Sequence, residues 1–258
     1  MLLFTQIITK QTNMKKIICF LSLSLTLASC SGDDSVSETT NPADESAILV
    51  KRVVEKYEDG STETTLFTYE GTKIKTMTNS EGLVTFTYIG DQITKEEFFT
   101  VAGMIEQTDT FEYNAEGKLS VFRRLDGAFS YKEVFTYNAN NTISVAMFDG
   151  NEAAQTTPIG TATITLLNGE VSRILKSNGH EHNYLYDNRN NPTKNVTGFA
   201  VISFINGEAS GILHNITMDE TPSDGDSVFS YEYNDSSFPT KETETFDGEV
   251  TVTTYFYE

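Results

Sequence analysis

Apolar and polar residues alternate in short runs along most of the chain from residue 48 to its end. Because residues two apart on a β-strand face the same side, this alternation predicts strands that each have one apolar face. Thr, Val, Ile, Phe and Tyr fill the runs, and these residue types favour strands. No run keeps a helical period between helix-capping residues. The pattern therefore predicts one all-β domain over residues 47–258.

An aromatic-x-Tyr motif recurs at the ends of the predicted strands, and each copy places two rings on one face of its strand. The final tyrosines are 19, 25, 24, 49, 47 and 24 residues apart, which indicates a repeat period of about 24 residues with two degenerate units. The copies are Phe67-Thr68-Tyr69, Phe86-Thr87-Tyr88, Phe111-Glu112-Tyr113, Phe135-Thr136-Tyr137, Tyr184-Leu185-Tyr186, Tyr231-Glu232-Tyr233 and Tyr255-Phe256-Tyr257.

Turn-forming residues separate the predicted strands and indicate antiparallel hairpins. Asp-Gly pairs, among them Asp59-Gly60, Asp149-Gly150 and Asp247-Gly248, are the clearest of these turns. We expect an antiparallel meander of repeated hairpins that forms a curved open sheet or an open barrel. Closure depends on strand register, which the spacing of motifs does not determine.

Residues 193–220 interrupt this rhythm. An apolar run from Phe199 to Phe204 precedes an Asn206-Gly207 turn signal. The run predicts either a modest insertion or a more deeply buried pair of strands.

The N-terminus has the pattern of a secretory signal peptide. Lys15 and Lys16 precede an apolar run that ends at Leu27, and small residues follow directly before Cys30. The run is shorter than the roughly 20 residues that cross a bilayer. Residues 1–29 are therefore predicted to be the signal peptide, and Met14 is a second candidate for the true start.

The segment Leu27-Ala28-Ser29-Cys30 resembles the lipobox of bacterial lipoproteins. The resemblance implies that Cys30 is acylated on sulfur and becomes the N-terminus after cleavage. The alternative is an ordinary signal peptide followed by a chance cysteine. Cys19 lies inside the apolar run and is lost on cleavage, so Cys30 is the only cysteine predicted in the mature protein.

Acidic residues dominate the predicted mature chain. Residues 1–29 hold three lysines and no acid, so 15 basic and 37 acidic residues remain, with a formal charge of −22. Such a charge opposes binding to nucleic acid. Residues 30–46 are polar and acidic and predict a disordered tether behind the lipid. Ser31-Gly32-Asp33-Asp34 resembles the export signal of Bacteroidetes surface lipoproteins, which implies the cell surface; periplasmic retention on a generic acidic tether is the alternative.

The run from Tyr113 to Leu119 resembles the YD (RHS-type) repeats of exported bacterial proteins. It also resembles exported Bacteroidetes lipoproteins of unknown function in which degenerate copies follow a lipobox. The resemblance covers most of residues 50–258, but only Tyr186-Asp187 keeps the Tyr-Asp pair. It implies a β-hairpin repeat protein of the cell envelope.

Two groups of residues are candidates for metal binding. His180 and His182 fall on one face of a strand, with Glu181 on the other and His214 as the only further histidine; the alternative is two solvated histidines beside a turn. Four carboxylates within eight residues suggest a calcium loop, although the EF-hand spacing is missing and an acidic chain forms such clusters by chance. These four are Asp219, Glu220, Asp224 and Asp226.

Motifs of catalysis are missing from the sequence. There is no Gly-x-Ser-x-Gly elbow, phosphate-binding loop or dinucleotide fingerprint. The 12 Tyr and 17 Phe form either a glycan-stacking surface or the core of the sheet. We therefore expect a non-enzymatic outer-membrane lipoprotein without a cofactor that binds or scaffolds a protein or glycan. An envelope hydrolase, glycan-directed or metal-dependent, is the alternative.

Overall fold

Sixteen antiparallel strands follow one another around a closed barrel in the computed structural model, which describes residues 47–258. Each strand pairs with its neighbours in sequence, so the predicted all-β meander is confirmed, whereas the repeat period stays a prediction. The predicted signal peptide, Cys30 and the tether lie outside the described residues. The strands are β1 (Val50–Lys56), β2 (Thr62–Glu70), β3 (Lys73–Thr78), β4 (Gly82–Ile89), β5 (Gln92–Thr100), β6 (Ile105–Tyr113), β7 (Leu119–Leu125), β8 (Ser130–Tyr137), β9 (Thr142–Asn151), β10 (Ala154–Leu167), β11 (Glu170–Lys176), β12 (Glu181–Tyr186), β13 (Ile216–Glu220), β14 (Ser227–Tyr233), β15 (Pro239–Phe246) and β16 (Glu249–Tyr257).

Pairing of the first strand with the last closes the barrel. β1 and β16 pair from Val50 opposite Tyr257 to Lys56 opposite Val252, and Leu49 and Glu258 exchange two backbone hydrogen bonds of 3.2 Å. Closure gives the outermost strands partners for the groups that a sheet edge leaves unpaired. The expectation of an open sheet or open barrel is therefore wrong on this point.

The inner face of the barrel is apolar toward the end at which the aromatic-x-Tyr motifs lie, and polar residues are frequent on the outer face. On β2, Phe67 is buried inside the barrel, whereas Thr64 and Thr68 face out and are exposed. Aromatic-x-Tyr residues, including Phe86 and Tyr184, likewise lie in the core. The structure thus places most of the aromatic residues of these motifs in the core rather than on an external stacking surface, whereas Phe129, Phe246 and Phe256 are exposed. No helix within residues 47–258 is long and apolar enough to cross a membrane.

A β-bulge lies opposite six of the seven aromatic-x-Tyr motifs. Opposite Glu112 and Tyr113, for example, Ser120 is the extra residue of β7. The Ser120 hydroxyl donates to the Glu112 carbonyl (3.1 Å), and the Tyr113 hydroxyl donates to the carbonyl of Ile93 on β5 (2.5 Å). Side-chain hydroxyls therefore satisfy carbonyls that the disrupted ladder leaves without a backbone donor. The hydroxyls of Thr94 and Thr240 make the equivalent bond at two of the other motifs, and that of Ser172 does so at a further bulge between β10 and β11.

The connection between β12 and β13, residues 187–215, crosses the barrel interior. It contains a short helix, α1 (Phe199–Ile202). The ring of Phe199 lies 5.9 Å from that of Phe86 on β4, and the ring of Phe204 lies 6.1 Å from that of Phe135 on β8. The predicted insertion is confirmed, and the alternative strand pair is wrong. This apolar run is surrounded by the inner faces of other strands, so it needs no sheet partner to be buried.

Candidate functional site

Ionisable side chains line one half of the barrel interior, here called the polar half. On each strand, these ionisable residues lie farther than the apolar core residues from the barrel end at which the aromatic-x-Tyr motifs lie. They form three clusters. The arginine cluster is Glu96, Asp109, Arg124 and Glu133; the histidine cluster is His180, His182, Glu208, Asp219 and Asp224; the glutamate cluster is Glu55, Glu63, Glu242 and Glu244.

The arginine cluster follows the register of three strands, with Glu96 opposite Asp109 and Asp109 opposite Arg124. Arg124 donates to both carboxylate oxygens of Asp109, from Nε at 3.1 Å and from Nη2 at 2.8 Å. Burial, followed by the charge of Asp109, raises the pKa of Glu96 to about 8. Burial also raises the pKa of Glu133 to about 7, although the backbone N–H of Asn206 donates to its Oε2 (3.1 Å). One arginine thus faces three buried acids.

The histidine cluster brings together the two groups that the sequence offered as separate metal candidates. Nδ1 of His182 lies 3.0 Å from both carboxylate oxygens of Asp219, and Nε2 of His180 lies 2.6 Å from Oδ2 of Asp224. The two imidazole rings are 4.8 Å apart. His182 is buried, so the reading of two solvated histidines is wrong for it. Glu181 faces outward, where it pairs with Arg173.

The remaining candidate ligands do not join this cluster. Glu220 is exposed on β13, and Asp226 accepts the backbone N–H of Thr221 (3.1 Å). His214 lies instead beside Glu170, at 3.2 Å. Within residues 47–258, no group of three His, Cys, Asp or Glu side chains is arranged to hold a metal ion.

Three buried polar atoms of the histidine cluster have no hydrogen-bond partner among the described residues: Nδ1 of His180, Nε2 of His182 and Oε2 of Glu208. Glu208 comes from the crossing segment, and burial raises its pKa while the nearby His182 opposes that shift. Asp219 fixes the orientation of the His182 ring, as a carboxylate does for a histidine that transfers protons.

Three of the four acids of the glutamate cluster lie in a row of side chains that crosses five strands. Glu63, Glu55, Thr253, Glu242 and Tyr231 stand opposite one another in turn on β2, β1, β16, β15 and β14. Such neighbours have Cβ atoms roughly 5 Å apart. Burial, followed by the charges of nearby glutamates, raises the pKa of Glu55 to about 7, and burial raises that of Glu242 to about 7. The row therefore concentrates negative charge that is costly to ionise.

Unpartnered atoms occur in this row as well. Oε2 of Glu242 accepts a hydrogen bond from the Tyr255 hydroxyl (2.9 Å), but its Oε1 has no partner among the described residues. The hydroxyl of Thr253, a residue that is 1% exposed, also lacks one. Buried polar atoms in folded proteins are nearly always paired with protein or water, so these two leave hydrogen-bonding capacity for another molecule.

Sequence reasoning missed the arginine and glutamate clusters. Their signal is an ionisable residue at a position where strand alternation predicts an apolar side chain. Glu96 is such a residue between Ile93 and Phe98, as is Asp109 two residues before Phe111. In a chain with 37 acids, this signal becomes visible only when the inward face of each strand is known.

Comparisons with known proteins give little further information. No protein-family model matches the sequence, and no curated protein matches it. Among solved structures, the fold is similar to a porin-like protein from Bacteroides uniformis ATCC 8492. The two share 15% sequence identity and a TM-score of 0.39, over 81% of this chain and 96% of the other. A likeness at this level indicates neither membrane insertion nor transport.

Proposed function

We propose that this chain is a non-enzymatic lipoprotein of the cell envelope whose barrel binds a protein or glycan ligand through the polar half of its interior. The outer face mixes Thr and charged residues with exposed apolar residues such as Leu66 and Leu185. This mixture suits a barrel that stands in water, since a membrane barrel presents an apolar band to lipid. A lipid on Cys30 would then hold the barrel at the outer membrane. The acidic residues after Cys30 favour the surface over the periplasmic side.

The anchor is tested by Cys30→Ala. We expect the variant to lose acylation and to leave the membrane fraction for the soluble fraction, because two acyl chains or more are needed for stable anchoring. Cys19→Ala, inside the predicted signal peptide, is the matched control and should remain membrane-bound. Fractionation and mass spectrometry of the N-terminus measure both. Unchanged partitioning of Cys30→Ala would contradict the anchor, and protease treatment of intact cells separates surface from periplasm.

The observation that carries the binding proposal is the group of unpartnered buried polar atoms in the polar half. They come from all three clusters, from strands on different sides of the interior and from the crossing segment: Glu96 Oε1, His180 Nδ1, His182 Nε2, Glu208 Oε2, Glu242 Oε1 and Thr253 Oγ1. Leaving a buried polar group unpaired costs about 1–3 kcal/mol. A ligand that pairs with several of them at once would recover much of that free energy.

Native mass spectrometry of protein released gently from its own envelope tests this proposal. We expect a non-covalent adduct on the wild-type protein that is lost from the double variant Glu96→Gln/Glu242→Gln. The control Glu112→Gln/Glu232→Gln removes two carboxylates from the outer face and should keep the adduct. A wild-type protein without an adduct, or equal retention by both variants, would count against interior binding.

The Asp219–His182 pair supports a second candidate function, an envelope hydrolase that uses His182 as general acid or base. The supporting observation is the free Nε2 of an oriented, buried imidazole. The two functions differ in what becomes of the bound molecule. Turnover of an envelope glycan that disappears in His182→Gln would replace the binding proposal with the hydrolase.

A further inference from the structure

The three clusters of the polar half differ in how their charge is balanced. The arginine cluster contains Arg124, and in the histidine cluster Glu208 lies near His182 and Lys176. No ion pair within residues 47–258 involves any of the four acids of the glutamate cluster. These acids are Glu55, Glu63, Glu242 and Glu244. Buried charges are ordinarily paired, so this cluster alone has a position for a cation that the described chain does not fill.

We infer that the glutamate cluster binds the ammonium group of a ligand. Thr253 supports this independently of the acids, because its unpartnered hydroxyl lies between Glu55 and Glu242 in the cross-strand row. An ammonium group offers three donors, which matches the free Oε1 of Glu242, the Thr253 hydroxyl and a carboxylate oxygen of Glu55. The inference rests on the proposed binding function and names the chemistry of its ligand.

Access to this position is from the end of the barrel where β1 turns into β2. Glu244 lies two residues nearer that end than Glu242 on β15, and Glu63 stands opposite Glu55 on β2. Both Glu244 and Glu63 are half-buried, so the ligand would meet partly exposed acids beside the two buried ones. An organic cation fits the site better than a metal ion, since no three acids or histidines of the described residues have the geometry of metal ligands.

Proton release should accompany binding. Burial raises the pKa of Glu55 and of Glu242 to about 7, so part of each carboxyl is protonated at neutral pH. An ammonium group favours the ionised form and displaces those protons. Among residues 47–258, the groups that face the two acids are the carboxyls of Glu63 and Glu244 and the hydroxyls of the tyrosines Tyr57, Tyr231 and Tyr255. None of these is basic, so affinity should rise as the pH increases from 6 to 8.

Calorimetric titration of the purified protein in amine-free buffer tests the inference. The probes are putrescine and glucosamine, and the matched neutral probes are 1,4-butanediol and glucose. We expect one or both amines to bind, with proton release seen as a dependence of the measured heat on the buffer. Neither neutral probe should bind. The stronger of the two amines identifies an aliphatic amine or an amino sugar as the source of the ammonium group.

Variants locate the site. Glu55→Gln/Glu242→Gln should weaken amine binding by about tenfold or more, because a buried charge loses its partner. Thr253→Val, which keeps the shape of the side chain, should weaken it less, and the outer-face variant Glu232→Gln should leave it unchanged. Circular dichroism verifies that each variant is folded. If Glu55→Gln/Glu242→Gln disturbs the fold, Thr253→Val and the wild-type pH dependence remain as tests.

The outcomes separate this inference from the proposed function. Three results would overturn the ammonium site. They are equal binding of the amines and their neutral analogues, binding of calcium but of neither amine, and an affinity that falls as the pH rises. If no amine binds while the native adduct is present and depends on the interior acids, the ammonium inference fails and the binding function stands. If the adduct is missing too, both fail.

Discussion

Arg124→Met should lower the free energy of unfolding by about 3–5 kcal/mol, the usual cost of breaking a buried ion pair by removing one partner. The Arg124 side chain is 12% exposed and that of its partner Asp109 is 2% exposed. Without the guanidinium, Asp109 and the neighbouring Glu96 face each other as buried acids with no cation between them. Urea unfolding followed by circular dichroism measures the loss.

Arg123→Met is the matched control on the same strand. Arg123 faces outward and pairs with the exposed carboxylate of Glu112, and such surface pairs contribute about 1 kcal/mol or less. The double variant Arg124→Met/Asp109→Leu removes both charges of this ion pair, so it should recover part of the lost stability. Equal losses for Arg123→Met and Arg124→Met would show that the interior ion pair has no special role.

Stability should fall as the pH rises from 5 to 8. Four buried glutamates have folded-state pKa values raised from 4.5 to about 7 or 8, mainly by burial: Glu55, Glu96, Glu133 and Glu242. Between 4.5 and those values the folded state holds more protons than the unfolded state, so the unfolding free energy decreases with pH. Because one pKa unit corresponds to about 1.4 kcal/mol, each residue contributes roughly 1–3 kcal/mol to the change.

Single neutral substitutions assign this slope to particular residues. Glu96→Gln and Glu242→Gln should each flatten the dependence between pH 6 and 8, since glutamine keeps the shape and removes the titration. Glu232→Gln, whose carboxylate pairs with Lys241 on the outer face, is the control and should keep the wild-type slope. Urea unfolding at pH 5, 6, 7 and 8 in amine-free buffer provides the measurement. A stability that increases over this range would contradict the buried, protonated state of these acids.

Local patterning was enough to predict the strands and most of their turns. Alternation and β-branched residues assign the type of each element, and pairs such as Asp59-Gly60 and Asp247-Gly248 do mark turns. Asp149-Gly150 does not, because β9 continues to Asn151 and the turn follows it. The local sequence there resembles a turn, but the long pairing of β9 with β10 determines where the hairpin reverses.

Long-range features could not be predicted in the same way. Closure requires β1 to pair with β16. The residues near Val50 and Tyr257 have an ordinary strand pattern, which does not specify the strand with which each one pairs. The apolar run from Phe199 to Phe204 reads equally well as a strand, and only the presence of an enclosed interior makes a buried helix and loop favourable. The pairing of His182 with Asp219 joins residues 37 positions apart, so the two metal candidates had to be considered separately.

The seam between β1 and β16 also bears on how the chain folds. Residues near position 50 and residues near position 257 must meet, so the barrel cannot close before almost the whole domain is available. Contacts this far apart in sequence are formed late and slow folding, because a long loop loses its conformational freedom before any pairing stabilises it. The segment that crosses the interior must also be in place before the last strands close around it. If the chain is exported as we propose, this order favours passage through the membrane in an unclosed state, with the seam completed once the C-terminal strand has emerged.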